Sequence, residues 1–248
     1  MSNLAIQIED LAFSYPGRSG LCLSHFNLEI FAGERFGLFG PNGAGKTTLM
    51  HLMTGLLHYK QGSIRLLGRD VKKHNKAFNS LFGLVPQDFS FYPELSAVEN
   101  LSFFGAWSGL NGMEIKKRTD ELLETLGLND YRSMPVGKFS GGMKRRINLA
   151  IAVMHHPQIL FLDEPTVGVD VQTRHAIIAY LKYLNEKGTT LVYTSHQLNE
   201  AEELCERIAM IDEGNIIAID NLENLLNHHQ QEGLEGLFLT LTGKAYRD

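Results

Sequence analysis

The stretch Arg35-Phe36-Gly37-Leu38-Phe39-Gly40-Pro41-Asn42-Gly43-Ala44-Gly45-Lys46-Thr47-Thr48 decides the fold. A short apolar run at 35–39 reads as a strand and leads straight into a glycine-rich turn. From Lys46 the pattern becomes helical, with Leu49, Leu52, Met53 and Leu56 on one stripe and Gly55 inside it. Gly40 to Thr47 matches G-x-x-x-x-G-K-[ST] in the setting that pattern requires, between a strand and a helix. Glycines let the backbone curl tightly enough to aim several N–H groups at one point, and the helix behind them adds the positive end of its dipole. Such a loop holds phosphate. In this pattern the Lys46 ammonium reaches the β- and γ-phosphates and the Thr47 hydroxyl ligates Mg²⁺; Thr48 completes the set.

Working outward, 4–9 and 26–31 alternate apolar and polar residues and read as half-buried strands, with further strands at 63–67 and 82–85. Between about 96 and 156 only helical periodicity occurs, over 98–107, 114–126 and 142–154. Strand and helix then alternate at 159–162, 171–186, 190–194, 198–204 and 208–211. The pattern predicts an α/β fold: a P-loop NTPase core with a mainly parallel sheet, an N-terminal antiparallel β part and an inserted helical subdomain at about 88–156. The expected division is 1–228 as the nucleotide-binding domain and 229–248 as a short tail. That tail opens with the polar run His228 to Gly233, followed by an apolar stripe at Leu234, Leu237, Phe238 and Leu241 that Gly243 stops.

The run Ile159-Leu160-Phe161-Leu162-Asp163-Glu164 is an apolar strand ending in two carboxylates. A buried parallel strand delivers its last residues to the crevice where ligands bind in such sheets. Asp163 is therefore placed to hold Mg²⁺ and Glu164 to polarise an attacking water as general base.

With 248 residues, 44% apolar, 21% charged and a net charge of −5, the composition is that of an ordinary globular protein and gives no sign of a nucleic-acid partner. Two cysteines, Cys22 and Cys205, make neither a disulfide framework nor a zinc site. No apolar run approaches the roughly 20 residues of a membrane-spanning helix, and Met1 to Leu4 lacks the build of a secretory signal. A cytoplasmic chain is expected, with any membrane role carried by a partner.

Phe139-Ser140-Gly141-Gly142-Met143 at the head of a helix closely resembles the signature motif of ABC ATPases. Tyr15, Gln87, Asp170 and His196 follow the order of that family's remaining motifs. The resemblance implies that Tyr15 stacks on adenine and that Gln87 contacts Mg²⁺ and the attacking water. It implies that His196 hydrogen-bonds the γ-phosphate and that Asp170 senses a second subunit. It further implies that two copies, or this chain and a related ATPase, pack head to tail. Each ATP would then lie between one phosphate loop and the partner's Ser140-Gly141-Gly142. The pair would drive a separate integral membrane permease from the inner face of the membrane. Phe139, Met143 and Val167-Gly168-Val169 depart from the commonest forms of the motifs. The run Met143 to Ala150 and the ending Leu237 to Gly243 resemble the type-2 exporter ATPases. The rival readings are a soluble ABC protein of translation or repair, and an importer ATPase.

Physically, Ser140 can cap a helix beginning near Gly142, and the two bare glycines leave N–H groups facing outward. Lys144, Arg145 and Arg146 in the first turn oppose the helix dipole. Either they are three solvated cations costing a few tenths of a kcal/mol each, or an arriving γ-phosphate offsets that cost. The pairs His155-His156 and His228-His229 are not expected to bind metal, since adjacent side chains point apart.

Overall fold

The computed structural model describes residues 3–17, 20–73, 75–195 and 198–243. Its strands are β1 (Leu4–Phe13), β2 (Leu23–Phe31), β3 (Arg35–Phe39), β4 (Gln61–Leu66), β5 (Arg69–Asp70), β6 (Phe82–Val85), β7 (Ile159–Asp163), β8 (Thr190–Thr194), β9 (Arg207–Asp212) and β10 (Asn215–Asn221). Its helices are α1 (Lys46–Met53), α2 (Lys76–Asn79), α3 (Ala97–Trp107), α4 (Gly112–Thr125), α5 (Gly141–Ala152), α6 (Val171–Glu186), α7 (Leu198–Leu204), α8 (Leu222–His229) and α9 (Leu234–Thr242).

The larger sheet has the order β10-β9-β3-β8-β7-β6, parallel throughout except for the β9/β10 hairpin. Because β3, β8, β7 and β6 run parallel, their carboxyl ends emerge on one edge, and the loops they feed carry the motifs. Period-two alternation divides this sheet's side chains between two cores. Ile159 and Phe161 of β7, with Ala209 and Ile211 of β9, join the core formed with α1 and the antiparallel sheet β2-β1-β4-β5. Leu160 and Leu162, with Ile208 and Met210, face the helices on the other side. Both faces of β7 are covered, so its sequence is continuously apolar up to Asp163 at its end.

Several boundaries differ from the sequence expectation. Helix α1 stops at Met53, before the expected Leu56. The Thr54 hydroxyl donates to the Met50 carbonyl at 2.8 Å, Gly55 takes φ +73°, and Leu56 is left exposed. The boundary expected at 228/229 falls inside α8. Leu225 of α8 and Leu234, Leu237 and Phe238 of α9 belong to the same core as the helical face of the sheet. Between β6 and β7 the chain forms only helical elements, as the periodicity indicates.

Within that helical segment α3 opens with a capping box, Ser96 with Glu99, and α4 with another, Asn111 with Glu114. Asn100 on α3 is fully buried. Its amide donates to the carbonyls of Tyr92, Leu95 and Ser96 at 3.0–3.2 Å and accepts from the Tyr92 N–H at 2.8 Å. One side chain thus pins the loop leading into α3. Asn100→Ala should cost about 1–3 kcal/mol, since the Tyr92 N–H loses its acceptor while the carbonyls of Tyr92, Leu95 and Ser96 keep backbone donors. Urea unfolding of the two proteins measures it, and a loss under about 1 kcal/mol would show that water replaces the amide.

Candidate nucleotide site

The loop between β3 and α1 takes backbone conformations that its glycines permit. Gly40, Gly43 and Gly45 have φ of +158°, +84° and +107°. A Cβ at Gly40 would lie 2.0 Å from the Ile211 carbonyl oxygen, so the loop is pressed against the end of β9. Asn42 and Gly43 at its crest are exposed, while Ala44 and Gly45 are buried. Lys46 is 6% exposed, and its Nζ donates to the carbonyls of Gly40 at 2.6 Å and Pro41 at 3.1 Å. Burial pushes the ammonium below the ordinary lysine range, and the carboxylates of Glu164 and Asp163 pull it back up. Thr47, beside it in the first helical turn, is exposed.

Thr48 is turned differently. Its hydroxyl lies 2.9 Å from the Tyr15 hydroxyl and 3.8 Å from the Cys22 thiol, so it holds Tyr15 against the start of α1. The Tyr15 ring also packs edge-on to Phe13 at 5.0 Å. Sequence reasoning did not place Cys22 at this loop.

At the end of β7 both carboxylates are buried. Asp163 accepts from the Thr194 hydroxyl at 2.6 Å, and Glu164 accepts from Gln87 Nε2 at 3.0 Å. Glu164 sits at φ +51°, a left-handed conformation that costs a non-glycine residue about 1–2 kcal/mol and turns the chain away from the sheet. Adjacency of β6 and β7 brings Gln87 and Glu164 together. His196, which follows β8, lies outside the described residues.

Thr47, Asp163 and Gln87 offer a hydroxyl, a carboxylate and an amide oxygen, all hard donors. Among the described residues no group of three or more His, Cys, Asp or Glu forms a metal cage. Mg²⁺ suits such a set, because it takes one or two protein oxygens and fills the rest of its shell with phosphate and water. His155, from one of the histidine pairs, instead places Nε2 3.0 Å from the Phe82 carbonyl.

Ser140 caps α5, its hydroxyl accepting from the Met143 N–H at 3.3 Å. Ser140 and Gly141 are exposed, and the space beside the two glycines is bounded by the Gly168 carbonyl and Thr173. A Cβ on Gly142 would lie 2.9 Å from Thr173 Oγ1. The helix end is therefore flanked by the turn before α6 rather than by its own phosphate loop. Asp170 caps α6, accepting from the N–H and hydroxyl of Thr173 at 2.9 and 2.7 Å, and these bonds hold its carboxyl below the usual range.

The solvated-face expectation for the three cations of α5 is corrected at Arg145 and Arg146. Arg145 is buried; its guanidinium donates to the carbonyls of Pro86, Gln87 and Val167 at 3.0–3.4 Å and lies over the Phe89 ring. Arg146 donates to the Leu126 carbonyl at 2.8 Å. Carbonyl partners receive these guanidinium groups away from the helix axis, and Arg145 ties the signature helix to the loops carrying Gln87 and Glu164.

Residues 23–167 match the ABC transporter family. The linearmycin resistance ATP-binding protein LnrL of Bacillus subtilis (strain 168) is 44% identical over 89% of this chain and 70% of its own length. The Nod factor export ATP-binding protein I of Rhizobium sp. (strain N33) is 36% identical over 92% and 75%. Among solved structures, an ATP-binding subunit of an ABC transporter superposes with TM-score 0.87 at 26% identity, covering 96% of this chain and 99% of that one. A dimeric ATP-binding cassette in a post-hydrolysis state with ADP and Pi gives TM-score 0.79 at 25% identity, covering 88% and 98%. With its phosphate loop, acidic strand end and capped signature helix in one chain, this protein belongs to the ABC transporter family as an ATP-binding, ATP-hydrolysing subunit.

Proposed function

We propose that two such subunits close head to tail around two ATP molecules and drive export through a membrane-embedded permease at the inner face of the membrane. The observation that carries the two-subunit reading is the exposed, serine-capped start of α5, whose near neighbours are Gly168 and Thr173. The loop with Lys46 shares its edge of the sheet with Asp163, Glu164 and Gln87, whereas Ser140 and Gly141 face outward beside Gly168. A γ-phosphate held by both then joins two chains. The relatives named for linearmycin resistance and Nod factor export favour export over import.

In this reading the N–H groups of Asn42 to Thr48, with the carbonyls folded back by Lys46, form the phosphate cradle. Tyr15, steadied by Thr48, takes the adenine. Thr47, Asp163 and Gln87 would hold Mg²⁺, which when bound neutralises charge on the β- and γ-phosphoryl oxygens. Glu164 takes a proton from water as the water oxygen bonds to the γ-phosphorus and the bond to ADP breaks. Gln87 holds the Glu164 carboxylate in place, and His196 bonds the γ-phosphate. The partner's ATP meets Ser140, Gly141 and Gly142, with Asp170 alongside.

For the permease we assign a groove of about 930 Å³ between the helical segment and the sheet edge, lined in part by Phe82, Leu84, Phe104, Trp107 and Ile151. Trp107 is 74% exposed and stacks on Phe103 at 6.5 Å, so the rim is aromatic. Affinity purification of the chain from gently solubilised membranes of its host tests the reading. A polytopic membrane protein in equimolar amount is expected; recovery only with ribosomes or DNA-repair proteins would overturn the transport claim. The pair Phe103→Ser and Trp107→Ser should reduce permease recovery at least about tenfold, as loss of hot-spot aromatics does. Full recovery would move the docking surface elsewhere.

A further inference from the structure

Glu200 is a carboxylate that the chemistry above does not use, and it is 2% exposed. Three hydroxyls from two segments converge on its Oε2. The Thr166 hydroxyl donates to it in a short hydrogen bond, Tyr193 donates at 2.7 Å and Ser195 at 3.5 Å. The hydroxyls of Thr166 and Tyr193 are themselves 3.1 Å apart. On the other side of the carboxylate, Arg174 Nη1 lies 3.9 Å from Oε1. Thr166, Tyr193 and Ser195 are all buried.

These partners have a common property. Thr166 is in the turn between Glu164 and the α6 cap Asp170. Tyr193 and Ser195 flank Thr194, whose hydroxyl bonds Asp163 and whose carbonyl accepts from the Glu164 N–H at 3.1 Å, and the chain continues to His196. Arg174 is in the first turn of α6, behind Asp170. One buried carboxylate therefore spans the turn carrying the general base, the strand end leading to the histidine, and the head of the helix capped by Asp170. Burying a carboxylate to hold hydroxyls is a poor way to gain stability, since apolar side chains of similar volume do that as well or better. What it adds is a directional fix, because an acceptor-only group aligns every donor around it.

We propose that Glu200 is a positioning residue for ATP turnover, acting through Thr166 to hold the 164–170 turn in register with the end of β8. The proposal rests on the role assigned to Glu164 and extends it. Misplacing a reacting group by about an ångström costs up to about a hundredfold in rate, so the effect belongs in kcat and not in ATP binding.

The test uses the purified full chain, with kcat, KM for ATP and melting temperature measured on Glu200→Gln, Thr166→Val, Thr166→Ser and the double variant Thr166→Val/Glu200→Gln. Glu200→Gln and Thr166→Val should each lower kcat between about tenfold and a hundredfold, with KM changed less than about twofold. Thr166→Ser, which restores the hydroxyl, should recover most of the rate. The double variant should be no slower than the slower single one, because both remove one link. A folded Thr166→Val with wild-type kcat, or losses that multiply in full, would overturn the proposal. Should Glu200→Gln fail to fold, the Thr166 pair still decides, since a merely structural hydroxyl moves the melting temperature without moving kcat. Glu164→Gln measured alongside separates the two readings. Turnover retained there strikes the role of Glu164, whereas turnover retained in Thr166→Val strikes Glu200.

Discussion

Glu164→Gln is expected to lower kcat for ATP about a thousandfold while leaving ATP affinity within about threefold of wild type. Glutamine has the shape of glutamate and its amide oxygen can accept from Gln87 Nε2, so the 3.0 Å contact and the turn at φ +51° survive the change. What is lost is the site for the water proton. General-base assistance of this kind is worth about 10²- to 10⁴-fold, so a thousandfold corresponds to about 4 kcal/mol on the barrier. Because the γ-phosphate then stays in place, the variant should accumulate as a dimer. Light scattering at saturating Mg²⁺ and ATP should report twice the monomer mass, falling to the monomer value when ATP is withdrawn. Turnover near wild type would remove Glu164 from the role of base. A monomer at saturating ATP would remove the shared γ-phosphate on which the two-subunit reading stands.

The main architecture was legible because its signals are long and periodic. The run at 159–162 is continuously apolar since both faces of β7 are covered, and the helix-only stretch before it could not enter the sheet. Strand β10 and helix α8 were missed. The available signal was Glu213-Gly214, both at positive φ, between the apolar runs 208–211 and 216–219, which is the form of a two-residue hairpin turn. The tail read as separate because its stripe is short. Only the packing of Leu234, Leu237 and Phe238 onto the shared core makes it part of the same body.

The segments proposed as phosphate loop, acidic pair and signature helix end stood out because each has fixed residue types at fixed spacing, and they lie between β3 and α1, at the end of β7 and at the start of α5. Their supports did not. Arg145 read as one of three surface cations, since nothing in Lys144-Arg145-Arg146 says which guanidinium turns inward. Glu200 had a fainter signal: it stands four residues before the buried Leu204, on the core side of α7, where a carboxylate is out of place. Residues that touch substrate are constrained by chemistry that a sequence pattern records. Residues that hold them in position are fixed by tertiary neighbours, and Glu200 finds its neighbours on β8, in the 164–170 turn and on α6.

Lys46→Met should weaken ATP binding at least about a hundredfold, a loss of about 3 kcal/mol. The ammonium is held within the loop by the Gly40 and Pro41 carbonyls, so it is organised before phosphate arrives, and a charge-assisted bond made there is worth about twice a neutral one. Lys46→Arg should not rescue it, because a planar fork cannot replace a compact ammonium between two carbonyls of one tight turn. Titration gives a second test with a definite sign. Burial holds the Lys46 ammonium below the ordinary lysine range, against the pull of Glu164 and Asp163. The folded chain thus binds this proton less tightly than the unfolded chain does, and this group's contribution to nucleotide-free stability rises as pH climbs through the lowered pKa towards the ordinary lysine value. Phosphate favours the charged form, so ATP binding takes up a proton and its affinity falls across that same window. In Lys46→Met this group's share of both dependences should vanish, together with most of the ATP-induced rise in melting temperature. Isothermal titration in buffers of differing ionisation enthalpy measures the proton directly. An uptake unchanged in Lys46→Met would place the titrating group elsewhere and leave Lys46 as a structural clamp on its own loop.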